Sequence, residues 1–202
     1  MTSVTEYPAG HALLAGKVVV VTAAAGTGIG FATAKRALEE GATVVVSDHH
    51  ERRLGEAAEQ LAEATPDASS PLAVVCDVTR EEHVQGLVDA AVAEHGRVDV
   101  MVNNAGLGGT ARLVDMTDEQ WNVVLDVTLN GTFRCTRAAL RHMCPRGSGV
   151  VVNNASVLGW RAQKEQGVLK LYLGYEMTGC SSRNTKIMPW NIYGLKKDLK
   201  QT

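Results

Sequence analysis

The spacing of apolar residues along the chain predicts alternating strands and helices. Five short apolar runs, each bounded by polar or glycine-rich segments, are typical of strands buried on both faces of a sheet. These runs are residues 17–22, 42–47, 72–76, 98–102 and 149–153. Between them apolar residues recur at helical spacing, over residues 29–40, 51–64, 80–94 and from 117 toward 143. Strands that alternate with helices imply right-handed βαβ units, so we predict an α/β fold with a parallel sheet covered on both faces.

Two local signals mark the ends of predicted helices. Gly41 follows the first helix, at the position where a glycine in the left-handed conformation ends a helix. Thr117 stands three residues before Gln120, and this spacing is a capping-box start for the long helix. Both signals agree with the boundaries that the apolar spacing predicts.

Composition and charge narrow the classes of protein. The 202 residues are 45% apolar, enough for the core of one ordinary domain, which excludes a disordered tail or a repeat array. The net charge is −2 and aromatic residues make up 4% of the chain, so no basic field or set of stacking platforms favours nucleic acid. We therefore expect neither a nucleic-acid nor a membrane partner.

Cysteines and the amino terminus add two expectations. The cysteines are too widely spaced for a zinc site, so we expect reduced thiols and no metal; they are Cys76, Cys135, Cys144 and Cys180. Residues 1–16 lack a basic segment leading into an apolar one, and no apolar run reaches the roughly 18 residues of a membrane span. We expect a cytoplasmic protein.

The composition changes near residue 163. Residues 1–163 contain 25 Ala, 2 Lys and a net charge of −6, whereas residues 164–202 contain no Ala, 6 Lys and a net charge of +4. One interpretation is a solvated, basic carboxyl-terminal extension. The other is a segment that did not originate with the body, through a frame change, a gene-boundary error or a fusion. We predict a body at 1–163 and a distinct tail at 164–202.

A glycine-rich loop lies between the first strand and the first helix. Its sequence over residues 22–30 is TAAAGTGIG, and the positions of interest are Gly26, Gly28, Ile29 and Gly30. Glycines let the backbone approach a pyrophosphate, and the unpaired N–H groups of a helix amino terminus favour an anion. The alternative is a tight turn without a ligand, but the position after a buried strand favours dinucleotide binding.

An acidic residue closes the second strand. Asp48 lies 18 residues beyond Gly30, where a carboxylate accepts hydrogen bonds from the adenosine ribose hydroxyls and repels a 2′-phosphate. This favours NAD over NADP. The alternatives are a surface Asp in a turn, or a 2′-phosphate received by Arg52 or Arg53.

With these residues placed, the chain resembles the short-chain dehydrogenase/reductase family over about residues 14–163. Four sequence motifs support the resemblance, and each lies just past a predicted strand. They are TAAAGTGIG at 22–30, CDV at 76–78, NNAG at 103–106 and NNAS at 153–156. The resemblance implies a Rossmann-type doubly wound sheet holding the first five of the family's seven strands. It implies a nicotinamide cofactor and hydride transfer to or from a secondary alcohol or ketone. Family members commonly form homo-oligomers.

The resemblance also assigns roles to individual residues. Asp77 and Val78 would hold the adenine, Asn104, Ala105 and Gly106 would line the cofactor, and Ser156 would bind the reacting oxygen of the substrate. Without a ligand, the asparagines would be turn formers and Ser156 a helix cap. The sequence around these motifs most resembles that of bacterial enzymes of steroid-ring degradation that act on a ring hydroxyl of a coenzyme A thioester. A 3-oxoacyl reductase or a sugar or alcohol dehydrogenase is the alternative.

The chain departs from the family pattern where the acid/base pair should stand. The family places a Tyr about a dozen residues after the Ser and a Lys four residues later, because a nearby ammonium lowers the pKa of the phenol. The corresponding positions here are Leu169 and Leu173, and the one pair with the right mutual spacing is Tyr193 and Lys197 in the tail. We therefore predict little dehydrogenase activity. A non-catalytic nucleotide-binding protein and a truncated gene product are the alternatives.

Two milder departures concern the cofactor loop and the long helix. Ala24 stands where the family's first loop glycine is expected, and alanine tolerates most conformations other than a positive φ. Thr128 stands where the family often has an Asn that supports a proton-relay water, while Asn130 lies two residues away and would face elsewhere. We expect cofactor binding to survive the change in the loop. Thr128 can still form a hydrogen bond to a water, so we expect that this change alone does not abolish activity.

Overall fold

The strands form one parallel sheet. This computed structural model describes residues 7–108, 112–156 and 185–190. The strands are β1 Val18–Thr22, β2 Thr43–Asp48, β3 Leu72–Val75, β4 Val100–Asn103, β5 Gly149–Asn154 and β6 Thr185–Trp190. They lie in the order β3-β2-β1-β4-β5-β6, the order of a doubly wound dinucleotide fold, so the predicted fold class is confirmed.

All five predicted strands are present, with ends that differ by one or two residues. A sixth strand, which the apolar spacing did not predict, pairs in parallel with β5 from Gly149↔Thr185 to Asn154↔Trp190. It lies within residues 164–202, so at least this part of the predicted tail extends the sheet. The separate origin of the tail stays a prediction.

The helices cover both faces of the sheet. They are α1 Ile29–Glu39, α2 Glu51–Ala64, α3 Glu81–His95, α4 Asp118–Leu125 and α5 Gly131–Arg146. Gly41 has φ +83° beyond the end of α1, and Thr117 and Gln120 form the predicted capping box at the start of α4. The predicted single long helix is interrupted, because a π-helical stretch, Asp126–Asn130, joins α4 to α5. None of the helices in the described ranges is long and apolar enough to cross a membrane.

Alternate residues of the central strands supply two cores. Val20 and Met101 face one way and pack in a cluster with Leu87 of α3 and Met143 of α5. The neighbouring strand residues face the other way and pack against leucines of α1 and α2. The strand residues are Val19, Val21, Val44 and Val46, and the helix residues are Leu38, Leu54 and Leu61. Because both faces are buried, β1 and β2 require a continuous run of valines rather than an alternating pattern.

We call the side of the sheet where the strands begin the amino edge. Acidic side chains there form hydrogen bonds that hold neighbouring segments together. Asp99 is 5% exposed, and its carboxylate accepts hydrogen bonds from Val18 N at 3.0 Å, Arg97 Nε at 2.9 Å and Arg146 Nη2 at 2.9 Å. Burial raises the pKa of Asp99, but the hydrogen bonds from Arg97 and Val18 outweigh it, so the pKa is lowered. Asp99 thus ties β1 to the segments before β4 and β5.

Glu40 has the same role beside α1. Its carboxylate accepts hydrogen bonds from His11 N at 2.8 Å and Leu13 N at 3.0 Å, and it pairs with Arg36 at 2.5 Å. The backbone bonds from Leu13 and then His11 lower the pKa of Glu40. The segment before β1 is held to the end of α1 in this way.

Candidate functional site

The opposite edge of the sheet, where the strands end, is the place where this fold opens. β1 and β4 are the central pair of strands. From β1 the chain continues outward to β2 and β3, and from β4 it continues in the opposite direction to β5 and β6. Such a topological switch point forms a crevice outside the carboxyl ends of the strands. We call this side of the sheet the carboxyl edge, and every predicted site residue in the described part of the chain lies there, either as the last residue of a strand, as Asp48 does, or in the segment that follows one.

The glycine-rich loop leaves β1 in an unusual backbone conformation. Ala23 has φ +51° and Gly26 has φ +85°, whereas Ala24 does not need a positive φ. Ala24 is fully buried, and its N–H donates to Ser47 O of β2 at 3.0 Å. The alanine at the position of the expected first glycine is therefore compatible with the loop. The left-handed residue is its neighbour.

Two loop glycines have opposite surroundings. A Cβ atom on Gly30 would lie 2.4 Å from Ala23 O and 2.6 Å from Asn104 Nδ2, so close packing of α1 requires a glycine here. A Cβ atom on Gly28 would meet no described residue within 4 Å other than its chain neighbours, and Ile29 beside it is 55% exposed. Gly28 is also the residue before α1 and supplies no side-chain cap, so the first N–H groups of the helix face the crevice without that partner.

Thr22 joins the loop to β4, a role that the sequence reasoning missed. Its Oγ1 donates to Val102 O at 3.3 Å and accepts from Asn104 N at 2.9 Å and Ala105 N at 3.0 Å. The sequence feature that could have indicated this role is a hydroxyl residue at the end of an otherwise aliphatic strand. In the structure Thr22 is 1% exposed. Thr22 fixes how the chain leaves both central strands.

Asparagine side chains form a ladder across the ends of β4 and β5. Asn103 Nδ2 donates to Asn153 Oδ1 at 2.8 Å and to Thr136 Oγ1 at 2.9 Å. Asn154 Nδ2 donates to Asn104 Oδ1 at 2.8 Å. The amide of Asn104 also donates to Thr22 O at 3.1 Å and Ala23 O at 3.0 Å. The Asn104 side chain therefore holds the crevice together, and what it can present to a ligand is mainly its backbone.

Asp48 lies at the rim of the crevice, at the end of β2. The residue is 7% exposed, and both recorded contacts fall on Oδ1: His50 N donates to it at 3.1 Å and His49 Nδ1 lies 3.2 Å away. Oδ2 has no partner among the described residues. Arg52, one of the alternative phosphate contacts, pairs instead with Glu56 at 2.6 Å along α2.

The predicted adenine contacts follow β3. Thr79 N and Thr79 Oγ1 donate to Asp77 Oδ1 at 2.9 and 2.8 Å. Burial raises the pKa of Asp77, but these bonds and the nearby His49 and His83 outweigh it and lower the pKa. Val78 is 7% exposed, and a Cβ atom on Gly131 would lie 2.7 Å from its Cγ2. The Val78 side chain thus packs into the core, and its carbonyl oxygen accepts a hydrogen bond from Arg134 Nη1 at 3.3 Å.

Ser156 lies two residues beyond β5 and is half-buried. Thr128, in the π-helical stretch, accepts a hydrogen bond from Leu107 N at 3.2 Å and so lies beside the loop that follows β4. Asn130 points elsewhere, as predicted, and donates to Asp126 at 3.1 Å on an exposed surface. The positions of Leu169, Leu173, Tyr193 and Lys197 lie outside the described residues.

Metal ligands are not grouped in this part of the chain. Among residues 7–108 and 112–156, no group of three or more His, Cys, Asp or Glu side chains is placed to hold a metal ion. Burial raises the pKa of the Cys76 thiol to about 12, which keeps it protonated and unreactive.

Comparison with known proteins gives a consistent set of similarities. The short chain dehydrogenase family model matches residues 17–169. The chain is 62% identical over 160 residues to the (5R,7aS)-5-hydroxy-7a-methyl-1-oxo-2,3,5,6,7,7a-hexahydro-1H-indene-carboxyl-CoA reductase of Mycobacterium tuberculosis. That match covers 78% of this chain and 60% of the relative, so the chain spans about three fifths of the relative's length.

Two solved structures share the fold. A short chain dehydrogenase from Mycobacterium smegmatis is 59% identical with a TM-score of 0.78, and the match covers 81% of this chain and 68% of that one. NAD+-bound xylitol dehydrogenase is 34% identical with a TM-score of 0.74, and the match covers 80% and 61% of the two chains.

Proposed function

The chain belongs to the short-chain dehydrogenase family, and from that premise we propose that it binds NAD at the carboxyl edge. In this family the nicotinamide cofactor supplies or accepts a hydride at a secondary alcohol or ketone. The family resemblance expected from the sequence is confirmed. The choice of cofactor, the substrate and the activity of this 202-residue chain are proposals.

One observation carries the proposal: three features suited to a dinucleotide border the same crevice. Gly28 leaves room that any Cβ would fill, the amino terminus of α1 has no side-chain cap, and Asp48 Oδ2 is bonded to none of the described residues. Glycine at the loop, a helix amino terminus at the pyrophosphate and a carboxylate at the ribose are the parts that dinucleotide recognition needs. The residues present therefore fit the cofactor.

Asp48 supports a preference for NAD over NADP. A carboxylate accepts hydrogen bonds from ribose hydroxyls and repels a 2′-phosphate. Arg52 forms an ion pair with Glu56, so it is less available to bind a 2′-phosphate from α2. Asp77, the backbone of Val78, and Asn104 to Gly106 would complete the cofactor site.

For the substrate we propose a secondary alcohol or ketone, carried on a ring as a coenzyme A thioester. The support is the 62% identity to an indene-carboxyl-CoA reductase. Ser156 would donate a hydrogen bond to the reacting oxygen. A cytoplasmic location remains a prediction.

We further propose that the chain as printed turns over slowly. Proton transfer needs a positioned group of matched pKa, and loss of such a group costs about 10²–10⁴ in rate. Leu169 and Leu173 occupy the positions expected for that group and its lysine. A nucleotide-binding protein without catalysis is the second candidate function, and the same substitutions favour it.

A paired measurement tests the proposal. The full chain is titrated with NAD and with NADP by protein fluorescence, and NADH formation is followed by its absorbance over hydroxysteroids, secondary alcohols and hydroxyacyl-CoA thioesters. We expect saturable binding with tighter affinity for NAD, and turnover no higher than that of Ser156→Ala. Failure to bind either cofactor would refute the site. Ordinary turnover abolished by Tyr193→Phe would show that the tail supplies the catalytic pair.

A further inference from the structure

Two asparagine pairs connect β4 to β5 at the carboxyl edge, and they lie on opposite faces of the sheet. Asn103 Nδ2 donates to Asn153 Oδ1 at 2.8 Å and to Thr136 Oγ1 of α5 at 2.9 Å. Asn154 Nδ2 donates to Asn104 Oδ1 at 2.8 Å. Because successive side chains of a strand point to opposite faces, the first pair lies against α5 and the second lies beside the glycine-rich loop.

The glycine-rich loop fixes the direction of the bond between Asn154 and Asn104. Asn104 Nδ2 donates to Thr22 O at 3.1 Å and to Ala23 O at 3.0 Å. Carbonyl oxygens only accept, so the amino group of Asn104 must face the loop and its Oδ1 must face β5. The side chain at position 154 must therefore be a donor, as the amide of asparagine is and an ionised carboxylate of the same shape is not.

Ala23 depends on contacts of this kind. Its φ of +51° is a left-handed conformation that is unfavourable for alanine, so the surrounding structure has to hold it. A Cβ atom on Gly30 would lie 2.4 Å from Ala23 O and 2.6 Å from Asn104 Nδ2, so their hydrogen bond lies directly against the first turn of α1. Gly26 and Gly28 follow Ala23 in the same loop. The Asn104 amide thus helps to set where the proposed pyrophosphate cradle lies.

We propose that Asn154 is a positioning residue for cofactor binding, which acts through the Asn104 amide on Ala23. Asn154 also stands two residues before Ser156, so the same bonds join the segment with the proposed substrate contact to the cofactor loop. Affinity falls with the fraction of molecules whose loop is in the binding conformation, so a residue that does not touch NAD can still change its dissociation constant. The inference rests on the proposed function, because it concerns the same site.

The same substitution at two neighbouring asparagines tests the inference in the full chain. The carboxylate of Asn154→Asp cannot donate to Asn104 Oδ1 and favours the rotated amide, which takes Nδ2 away from Ala23. We expect the NAD dissociation constant at about pH 7.5 to rise about tenfold, the effect of one lost hydrogen bond. Asn153→Asp is the matched control, because it keeps an acceptor for Asn103 and adds the same charge one residue away. Its dissociation constant should change by less than about threefold.

A pH profile separates positioning from general damage to the fold. A protonated carboxyl donates, so the deficit of Asn154→Asp should shrink as the pH falls toward the ordinary Asp pKa of about 3.9. Thr22, Ala23 and Asn104, which face this bond, do not titrate. Between about pH 7.5 and pH 4.5 we expect the ratio of the Asn154→Asp to the Asn153→Asp dissociation constant to fall at least about twofold. Taking the ratio of two variants removes the effect of acid on Asp48.

Two further measurements cover the case in which Asn154→Asp does not fold. Asn154→Ala removes the donor without adding a charge, and it should weaken NAD binding about threefold and more than Asn153→Ala does. In the unsubstituted ¹⁵N-labelled chain, the side-chain NH₂ resonances of Asn154 should shift on addition of NAD, with the same dissociation constant as the amide of Gly28.

The outcomes distinguish this inference from the proposed function. If the unsubstituted chain binds NAD but the two Asp variants bind it equally, or their ratio is independent of pH, the inference is wrong. Asn154 resonances that stay unchanged at saturating NAD would overturn it as well. If the unsubstituted chain does not bind NAD, the proposed function itself fails.

Discussion

The two edges of the sheet use acidic residues in opposite ways. At the amino edge, Asp99 and Glu40 accept several hydrogen bonds from backbone N–H groups and arginines of this chain. At the carboxyl edge, Asp48 is nearly as buried as these residues, at 7% exposure, yet its contacts with described residues all fall on one carboxylate oxygen. Burial alone thus does not distinguish a structural carboxylate from one that is available to a ligand.

The same contrast separates residues within the carboxyl edge. Gly30 and Asn104 belong to the family motifs, but their contacts are with Ala23, Thr22 and Asn154, which makes them structural. Gly28 belongs to the same motif, but a Cβ atom there would meet none of the described residues beyond its chain neighbours within 4 Å. A motif therefore marks a site, and only the contacts show which of its residues support the site and which face a ligand.

The largest expected effect is at the amino edge. Asp99→Ala removes the partner of Val18 N and of two arginines, and we expect the free energy of unfolding to fall by about 3 kcal/mol. The figure is at the lower end for a broken buried pair, because Arg97 and Arg146 are 42% and 30% exposed. Urea unfolding measures it. Asp89→Ala, at a carboxylate that is 57% exposed, is the control and should change stability by less than about 0.5 kcal/mol. Equal losses in both variants would contradict a special role for Asp99.

At the carboxyl edge, the matching change should affect binding rather than stability. Asp48→Ala is expected to weaken NAD binding by about 1.5–3 kcal/mol, the range for a hydrogen bond to a charged group. The measurement is the NAD dissociation constant of a variant shown to be folded by circular dichroism. An unchanged dissociation constant would remove Asp48 from the cofactor site.

Two alanine substitutions in one loop sharpen the contrast between support and contact. Gly30→Ala forces a Cβ to 2.4 Å from Ala23 O, and the overpacking is expected to cost about 1–3 kcal/mol of stability. The methyl group of Gly28→Ala would meet no described residue beyond its chain neighbours, so stability should change by less than about 1 kcal/mol. NAD binding should weaken, because the methyl group enters the crevice. Thermal unfolding and NAD titration of both variants test this, and a stable Gly30→Ala protein with normal affinity would contradict it.

The smallest effect is the dependence of stability on acid. The folded-state pKa of Asp99 is lowered, so its ionised form stabilises the fold above the ordinary Asp pKa of about 3.9, and this stabilisation is lost as the pH falls through the lowered value. Urea unfolding between about pH 6 and pH 3 should show stability falling toward acid. Asp99→Asn should flatten that slope. A slope identical to that of the parent would contradict the assignment.

Much of this organisation could be predicted from the sequence, for reasons of pattern. The valine run of β1, the left-handed Gly41 and the capping box at Thr117 are local features that the structure confirms. The interruption at Asp126–Asn130 could not be read from apolar spacing, because a π-helical stretch keeps the helical pattern of side chains on either side.

The roles of Thr22 and Asn104 were hidden for another reason. Their hydrogen bonds join residues about 82 positions apart, and no local pattern encodes such a contact. The strand β6 was missed because residues 185–190 carry a lysine and a proline and lack the valine run that marked the others. Contacts that depend on which strands become neighbours emerge only with the fold.

The most direct test of the difference between the two edges is a titration of the ¹⁵N-labelled full chain with NAD, followed by amide chemical shifts. We predict saturable shifts of the amides of Gly26, Gly28 and His50 at the carboxyl edge, with the amides of Val18 and Leu13 at the amino edge unchanged. Shifts centred on Val18 and Leu13, or no shifts at high NAD concentration, would contradict it.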